Sequence, residues 1–177
     1  ARVAINVSAQ QFVAGDFLAE IARILERFDL PPDCLEPELT ENMLQTGAIT
    51  IETLHSLQLL GVATALDDFG TGYSSLTPLE RLPLSRVKLH RSVVAEVDWN
   101  PRAASIARSI ISLCRSLGLQ VTVEGVERPS QLDFLVNCGD VSVQGYLVAD
   151  SADQPEVIET VTGTRTQPAA LREAARL

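Results

Sequence analysis

Six short stretches of this chain carry the apolar pattern of β-strands, and helical patterns separate most of them. Val3, Ile5 and Val7, for example, alternate with smaller or polar residues, as in a strand that buries one face. The helical patterns repeat apolar residues every three or four positions, and two of them stop at a glycine. The apolar stripe of the first pattern includes Phe28, and that of the third comprises Ile106, Ile110, Leu113 and Leu117. Strands that alternate with helices predict a parallel sheet with the helices outside it. The strand patterns cover residues 3–7, 35–40, 62–66, 86–90, 119–123 and 141–143, and helical patterns cover 17–28, 51–60, 101–117, 129–136 and 154–161.

The number of strand patterns limits the choice of fold further. A Gly-x-Gly-x-x-Gly nucleotide loop is absent, and six units of this length favour a (β/α) barrel over an open sheet. A complete barrel of this kind takes eight units and about 250 residues, whereas this chain has 177. We therefore predict an α/β fold, a TIM-like (β/α) barrel that is incomplete at its N-terminus. We expect the domain to cover residues 1–162 and a tail or linker to cover 163–177.

The third strand pattern stops at two adjacent carboxylates, Asp67 and Asp68. Neighbouring strand residues point to opposite faces, so both acids can serve one site only where the strand geometry breaks. Gly70 and Gly72 supply the backbone freedom for such a break. A buried strand that delivers two acids to an active site fits this stretch, and a solvated Asp-Asp turn fits it equally well.

Polar residues also lie at the ends of the other strand patterns. Asn6 alone is explained better as a turn cap than as a ligand. Lys88 lies between Arg86 and His90 in an alternating pattern, which fits a surface strand and an inward lysine equally. A polar residue at every strand end is nevertheless hard to explain by chance, because the carboxyl ends of barrel strands form the rim that carries the active site. The set comprises Asn6, Glu38, Asp67, Asp68, Lys88, Glu124 and Gln144.

The chemistry that these side chains permit is narrow. Carboxylate and amide oxygens, without a cluster of histidines or cysteines, suit Mg²⁺ or Mn²⁺ rather than zinc or copper. Two such ions would hold a phosphodiester and activate a water molecule as the nucleophile. Lys88 would add a positive charge that orients this water or neutralises the developing oxyanion.

Charge and hydropathy exclude other classes of function. The formal net charge of −9 argues against a broad surface for nucleic acid or an anionic membrane. No apolar run approaches the roughly 18 residues of a membrane span, and no signal peptide pattern is present. The three cysteines, Cys34, Cys114 and Cys138, lack Cys-x-x-Cys spacing, which favours reduced thiols in a cytoplasmic protein.

The motifs at the strand ends resemble those of the EAL-domain family, in the same order and approximate spacing, over about residues 1 to 160. The stretch from Asp67 to Leu76 is the most specific part of the match. The resemblance implies a TIM-like barrel and a bacterial phosphodiesterase that opens cyclic di-GMP to linear pGpG with two Mg²⁺ or Mn²⁺ ions. The matching motifs are Asn6-Val7-Ser8, Glu38-Leu39-Thr40-Glu41, Asp67-Asp68-Phe69-Gly70-Thr71-Gly72-Tyr73-Ser74-Ser75-Leu76, Lys88, Glu124-Gly125-Val126-Glu127 and Gln144-Gly145-Tyr146.

The resemblance also implies a role for each of these residues. The catalytic group would comprise Lys88, which assists the attacking water, together with Asp68 and Glu124. Family members commonly dimerise and follow a cyclase-like or sensory domain, which implies a homodimer and a larger parent protein. The metal ligands would be Asn6, Glu38, Asp67, Asp68 and Glu124. Substrate binding or support of the loop after Asp68 would fall to Gln144, Glu41, Glu127, Gly70 and Thr71.

Several positions depart from the family pattern. The Glu-Ala-Leu motif lies upstream of residue 1, so its metal-binding glutamate is missing, and this loss should weaken metal binding. Lys88-Leu89-His90 replaces the usual Lys-Ile-Asp, Pro37 interrupts the strand before Glu38, and Val141 stands where an acid is common. An inactive fragment, or a receptor that binds cyclic di-GMP or a partner protein without turnover, is therefore the alternative. An unrelated Mg²⁺-dependent barrel is the third hypothesis.

Overall fold

The computed structural model describes residues 2–13, 16–41, 43, 48–71, 76–145, 147 and 159–161. The chain divides into two compact units, the first with residues 1–69 and 74–87 and the second with residues 70–73 and 88–177. Strands are hydrogen-bonded in chain order within each unit, β1 to β4 in the first and β4 to β7 in the second. In the part of the chain that is described, no helix is both long and apolar enough to cross a membrane.

The first unit contains three parallel strands, β1 (Val3–Asn6), β2 (Leu35–Thr40) and β3 (Ala65–Phe69), and the start of β4 (Arg86–Leu89). Its helices are α1 (Ala9–Val13), α2 (Phe17–Arg27), α3 (Ala48–Leu60) and α4 (Thr77–Arg81). Helix α2 buries residues one turn apart on one face, as its sequence period requires. The core of this unit comprises Val7, Phe12, Ile21, Leu25, Leu39, Met43, Leu54, Leu57 and Val62.

Two sequence expectations fail in the first unit. Phe28 was expected in the apolar stripe of α2 but is 60% exposed. Helix α2 ends at Arg27, so the helical period no longer directs the next side chain inward. Pro37 does not interrupt β2, because it lies inside the strand in register with Ile5. The φ angle that its ring imposes is compatible with extended backbone.

A buried ionic cluster lies near the amino ends of the strands in the first unit. Glu36, in β2, is 3% exposed. Its two carboxylate oxygens accept hydrogen bonds from Arg2 Nη1 and Arg86 Nε, each at 2.9 Å. We call these three residues the Glu36 cluster.

The second unit contains the end of β4, the parallel strands β5 (Gln120–Val123) and β6 (Val141–Val143), and helices α5 (Pro101–Ser116) and α6 (Pro129–Val136). Strand β7 (Glu159–Val161) pairs antiparallel with β6. The helix expected over 154–161 is therefore wrong over its last three residues, while residues 154–158 lie outside the described part. The pairing partner of β7 is distant in sequence, so local periodicity could not indicate it.

Helix α5 buries a different face from the one expected. The sequence predicted an inward stripe that includes Ile106 and Leu117, but these are 52% and 43% exposed. The buried stripe lies about one residue further along the helix, which rotates the inward face by roughly 100°. Its buried members are Ala107, Ile111 and Cys114.

Candidate active site

In the first unit, strand register brings three predicted metal ligands to one face of the sheet. Asn6 is in register with Glu38, and Thr40 is in register with Asp67. Residues paired in parallel strands point to the same face, and so do residues two apart in one strand. Glu38 is buried, Asp67 is half-buried and Asn6 is exposed. The three oxygen-bearing side chains thus lie near the carboxyl ends of β1, β2 and β3, as predicted.

The backbone of Asp68 breaks the alternation of β3. Its φ angle is 57°, in the left-handed region that Asp tolerates better than most residues. One carboxylate oxygen of Asp68 consequently lies within 4.8 Å of one from Asp67. The sequence predicted such a break but assigned it to Gly70 and Gly72. The structure places it at the acid itself, although Gly70 also has a positive φ of 101°, and Gly72 lies outside the described residues.

In the second unit, Lys88 points into the protein and is 5% exposed. Its Nζ lies 2.8 Å from a carboxylate oxygen of Glu124. Glu124 directly follows β5, and its backbone N–H donates to the carbonyl oxygen of Leu89 at 3.0 Å. The alternating pattern around Lys88 fitted a surface strand equally well, and this burial decides in favour of an inward lysine.

Gln144 directly follows β6, as Glu124 follows the neighbouring strand β5. Its backbone N–H donates to the Val123 carbonyl at 2.9 Å, and its carbonyl accepts from the Val126 N–H at 3.2 Å. The side chain is buried, and within the described residues its Oε1 has no hydrogen-bond partner. Buried amide oxygens normally have a partner, so this atom is suited to accept from a bound ligand or to bind a hard cation.

His90 caps the 3₁₀ turn that follows β4, Arg91–Val93. Its Nδ1 accepts the backbone N–H of Ser92 at 3.2 Å and lies 2.9 Å from the hydroxyl oxygen of the same residue. Aspartate commonly makes this kind of cap. The histidine therefore caps this turn through a ring nitrogen and brings no carboxylate to the position.

The remaining predicted site residues lie nearer the surface. Glu41 is half-buried, and Glu127 and Thr71 are exposed. Gly70 is tightly packed, because a Cβ atom there would lie 2.4 Å from a methyl carbon of a neighbouring valine. Support of the loop after β3 by Glu41 and Glu127 stays a prediction, since residues 72–75 of this loop lie outside the described part.

An ion pair near the start of α6 was missed by the sequence analysis. Arg128 Nε and Nη2 donate to the two carboxylate oxygens of Asp98, at 2.9 and 3.0 Å, and the Ser130 hydroxyl donates to the same carboxylate. The hydrogen bonds from Arg128 make the largest contribution to lowering the pKa of Asp98 well below its usual range. The Ser130 hydroxyl also lowers this pKa, and burial opposes the shift. The guanidinium carbon also lies 4.6 Å from the centre of the Trp99 ring. The partners are 30 residues apart, so no local pattern could indicate the pair.

Gln131, in the first turn of α6, was also missed. It is buried, and its side chain accepts the backbone N–H of Arg128 at 2.9 Å. The sequence does carry a signal for this role, because Gln131 comes three residues after Arg128, which directly precedes the helix. A Gln at this spacing often accepts the backbone N–H of the residue before a helix.

Comparison with known proteins gives consistent matches. The family model for the EAL domain matches residues 1–151. Cyclic di-GMP phosphodiesterase NbdA of Pseudomonas aeruginosa is 42% identical over 147 residues, which cover 82% of this chain and 19% of NbdA. The chain spans about a fifth of the length of the first curated relatives that it matches.

Two solved structures extend the comparison to the fold. The c-di-GMP complex of the PaMucR phosphodiesterase is 38% identical, with a TM-score of 0.74 over 82% of this chain and 59% of that chain. The manganese/cy-diGMP complex of Klebsiella pneumoniae BlrP1 at pH 9.0 is 26% identical, with a TM-score of 0.77 over 91% of this chain and 40% of that chain.

Proposed function

This chain belongs to the EAL-domain family, and we propose that it acts as a phosphodiesterase that hydrolyses cyclic di-GMP to linear pGpG. The observation that carries the proposal is the left-handed backbone of Asp68, which brings the carboxylates of Asp67 and Asp68 together at the end of β3. Two carboxylates this close repel each other, and a divalent cation bound by both would relieve the repulsion. A strand end built like this is suited to metal-dependent chemistry on a phosphate.

The side chains fit two hard divalent cations, Mg²⁺ or Mn²⁺. Every proposed ligand offers oxygen, which these cations prefer. When bound, the ions would supply the Lewis acidity that polarises the phosphodiester and activates the attacking water. The buried Oε1 of Gln144 supports a polar ligand in the second unit. The proposed ligands are Asn6, Glu38, Asp67, Asp68 and Glu124.

Lys88 would stabilise the charge that develops on the phosphate. Its ammonium is held by Glu124 at 2.8 Å and is shielded from bulk water, so it is oriented before the substrate arrives. A fixed positive charge in such surroundings interacts more strongly with an oxyanion than a solvated one would. An ammonium also donates hydrogen bonds, which allows Lys88 to orient the water that attacks phosphorus.

The test is hydrolysis of cyclic di-GMP by the parent protein with Mg²⁺ or Mn²⁺. Asp67→Asn keeps the size of the side chain but removes its charge, and we expect it to abolish metal-dependent release of pGpG. Asp33→Asn changes an exposed acid of the same unit and should leave turnover unchanged. Undiminished hydrolysis by Asp67→Asn would refute the proposal.

A binding-only receptor is the second candidate, and His90 favours it. The histidine replaces the acid that the family usually has two residues after the lysine, so a carboxylate is absent at this position. A parent protein that binds cyclic di-GMP in equilibrium dialysis, yet releases no pGpG with either metal, would establish this alternative.

We also propose that the parent protein is a homodimer with a cyclase-like or sensory domain before this one. The chain spans only 19% of NbdA, which leaves ample length for other domains in a relative. Light scattering of the parent protein tests the dimer.

A further inference from the structure

One buried side-chain amide holds the loop between β5 and α6, residues 124–128. Gln131 is 2% exposed. Its Oε1 accepts the backbone N–H groups of Glu127 and Arg128, both at 2.9 Å. Its Nε2 donates to the carbonyl oxygen of Val94 at 3.0 Å. Gln131 therefore ties the far end of this loop to the segment that follows β4.

The Lys88–Glu124 ion pair lies where these two segments begin. Lys88 lies on β4, and Glu124 begins the loop. Backbone hydrogen bonds hold the start of the loop, from the Glu124 N–H to the Leu89 carbonyl, and its middle, where Val126 donates to the Gln144 carbonyl and accepts from the Leu147 N–H. The far end of the loop depends on Gln131. The chain then turns at Gly125, with a φ of 65°, where a Cβ would lie 2.4 Å from Cβ of Arg91. The direction of the Glu124 carboxylate thus depends on how both ends of the loop are held.

Removal of Gln131 would strain the loop without detaching the helix. Two half-buried backbone N–H groups and one buried carbonyl would lose their partner, which is costly enough to shift the backbone. The start of α6 would still be held by Arg128, whose Nη2 donates to the Ala95 carbonyl at 2.6 Å and whose guanidinium pairs with Asp98. We expect the protein to fold with a displaced loop.

We propose that Gln131 is a positioning residue for Glu124, which sets the Glu124 carboxylate against Lys88 and toward the proposed cations. It acts through the loop backbone and not by contact with the reacting atoms. The inference rests on the proposed function of this site. Groups that hydrogen-bond a metal ligand directly contribute about 10-fold to 100-fold to metal affinity or activity, and Gln131, which acts through the backbone, should contribute at the lower end of this range.

A matched pair of variants separates positioning from general stability. Gln131→Met keeps the approximate size of the side chain and removes its three hydrogen bonds. Asn100→Leu does the same at the start of α5, where the Asn100 Oδ1 accepts the N–H groups of Arg102 and Ala103 at 3.1 and 3.3 Å and Nδ2 donates to Glu96 at 2.8 Å. Each residue has a side-chain amide that accepts two backbone N–H groups at the start of a helix of the second unit.

The readouts are Mn²⁺ affinity, from paramagnetic resonance titration of the parent protein, and kcat and KM for cyclic di-GMP. We expect Gln131→Met to weaken Mn²⁺ binding by about tenfold and to lower kcat more than it changes KM. Asn100→Leu should lower the thermal midpoint but leave Mn²⁺ affinity and kcat unchanged.

Equal changes in Mn²⁺ affinity in both variants would overturn the inference, and so would an unchanged Mn²⁺ affinity in Gln131→Met. If the unsubstituted protein binds Mn²⁺ but releases no pGpG, the proposed hydrolysis fails. The comparison of Mn²⁺ affinities still decides the role of Gln131 in that case.

Discussion

Replacing Glu36 by glutamine tests whether the Glu36 cluster stabilises the first unit. The carboxylate is buried in β2 and accepts one hydrogen bond from each of two arginines. Glutamine keeps the volume of the side chain and one acceptor oxygen, but it removes the negative charge between two positive ones. The substitution therefore isolates the ionic contribution of the cluster.

The two arginines contribute unequally. The Arg2 side chain is 38% exposed, so its pairing resembles a surface ion pair of about 0–1 kcal/mol. The Arg86 side chain is 11% exposed, and removing one partner of a buried pair costs about 3–5 kcal/mol. The remaining amide oxygen offsets about 1 kcal/mol of this by a neutral hydrogen bond. We expect Glu36→Gln to lower the free energy of unfolding by about 2–5 kcal/mol.

Urea unfolding followed by circular dichroism measures this loss. The control is Glu20→Gln, because Glu20 pairs with Arg23 at 3.6 Å and both side chains are more than half exposed. That variant should stay within about 0.5 kcal/mol of the original protein. The loss in Glu36→Gln should persist at about 1 M salt, since buried pairs are screened weakly. The reasoning is wrong if the two variants lose the same stability.

Three further substitutions test other parts of the second unit. Asp98→Asn removes a carboxylate whose pKa is lowered in the folded state by Arg128. The stability that the original protein has over this variant should therefore be complete above about pH 4 and shrink as the pH falls below it. Thermal midpoints of both proteins at a series of pH values check this, and a difference in midpoint that does not change with pH contradicts it. Gly145→Ala would place a Cβ 2.5 Å from the backbone N and O of Val126, at a φ of 153°. It should lower the free energy of unfolding in urea by about 1–3 kcal/mol. Unchanged stability would show that the backbone moves to accommodate the Cβ and would contradict this reasoning. His90→Asp restores the acid that the family usually has and keeps a capping side chain, so we expect unchanged thermal stability and faster pGpG release; slower release would show that the histidine is adapted to this site.

The sequence predicted the parallel α/β fold of TIM-like type, and this prediction is confirmed. It could do so because strand ends are local features: an apolar run followed at once by a polar residue shows both where a strand stops and what it presents. The sequence showed that the strand ends meet at one edge of the sheet, but not which residues of neighbouring strands lie side by side. The pairing of Asn6 with Glu38 and of Thr40 with Asp67 required the structure.

What the sequence missed depends on contacts between distant residues. Helix α5 has apolar residues on two adjoining faces, and packing chose the one that includes Ile111 over the one that includes Ile106. The partners Asp98 and Arg128 are far apart in the chain. The assigned roles of the site residues stay predictions, because they concern a substrate and ions and not the fold.

The Glu36 cluster has a consequence for the register that β4 adopts in the sheet. Arg86 and Lys88 are two residues apart on the same face of this strand. A slip of two residues would keep every side chain on its proper face, so the apolar pattern alone does not prevent it. Such a slip would place a single-point ammonium opposite Glu36 instead of a guanidinium, which is a poorer match for a carboxylate. We expect the cluster to select the correct alignment during folding, so that the position of Lys88 is determined by contacts at the amino end of the strand.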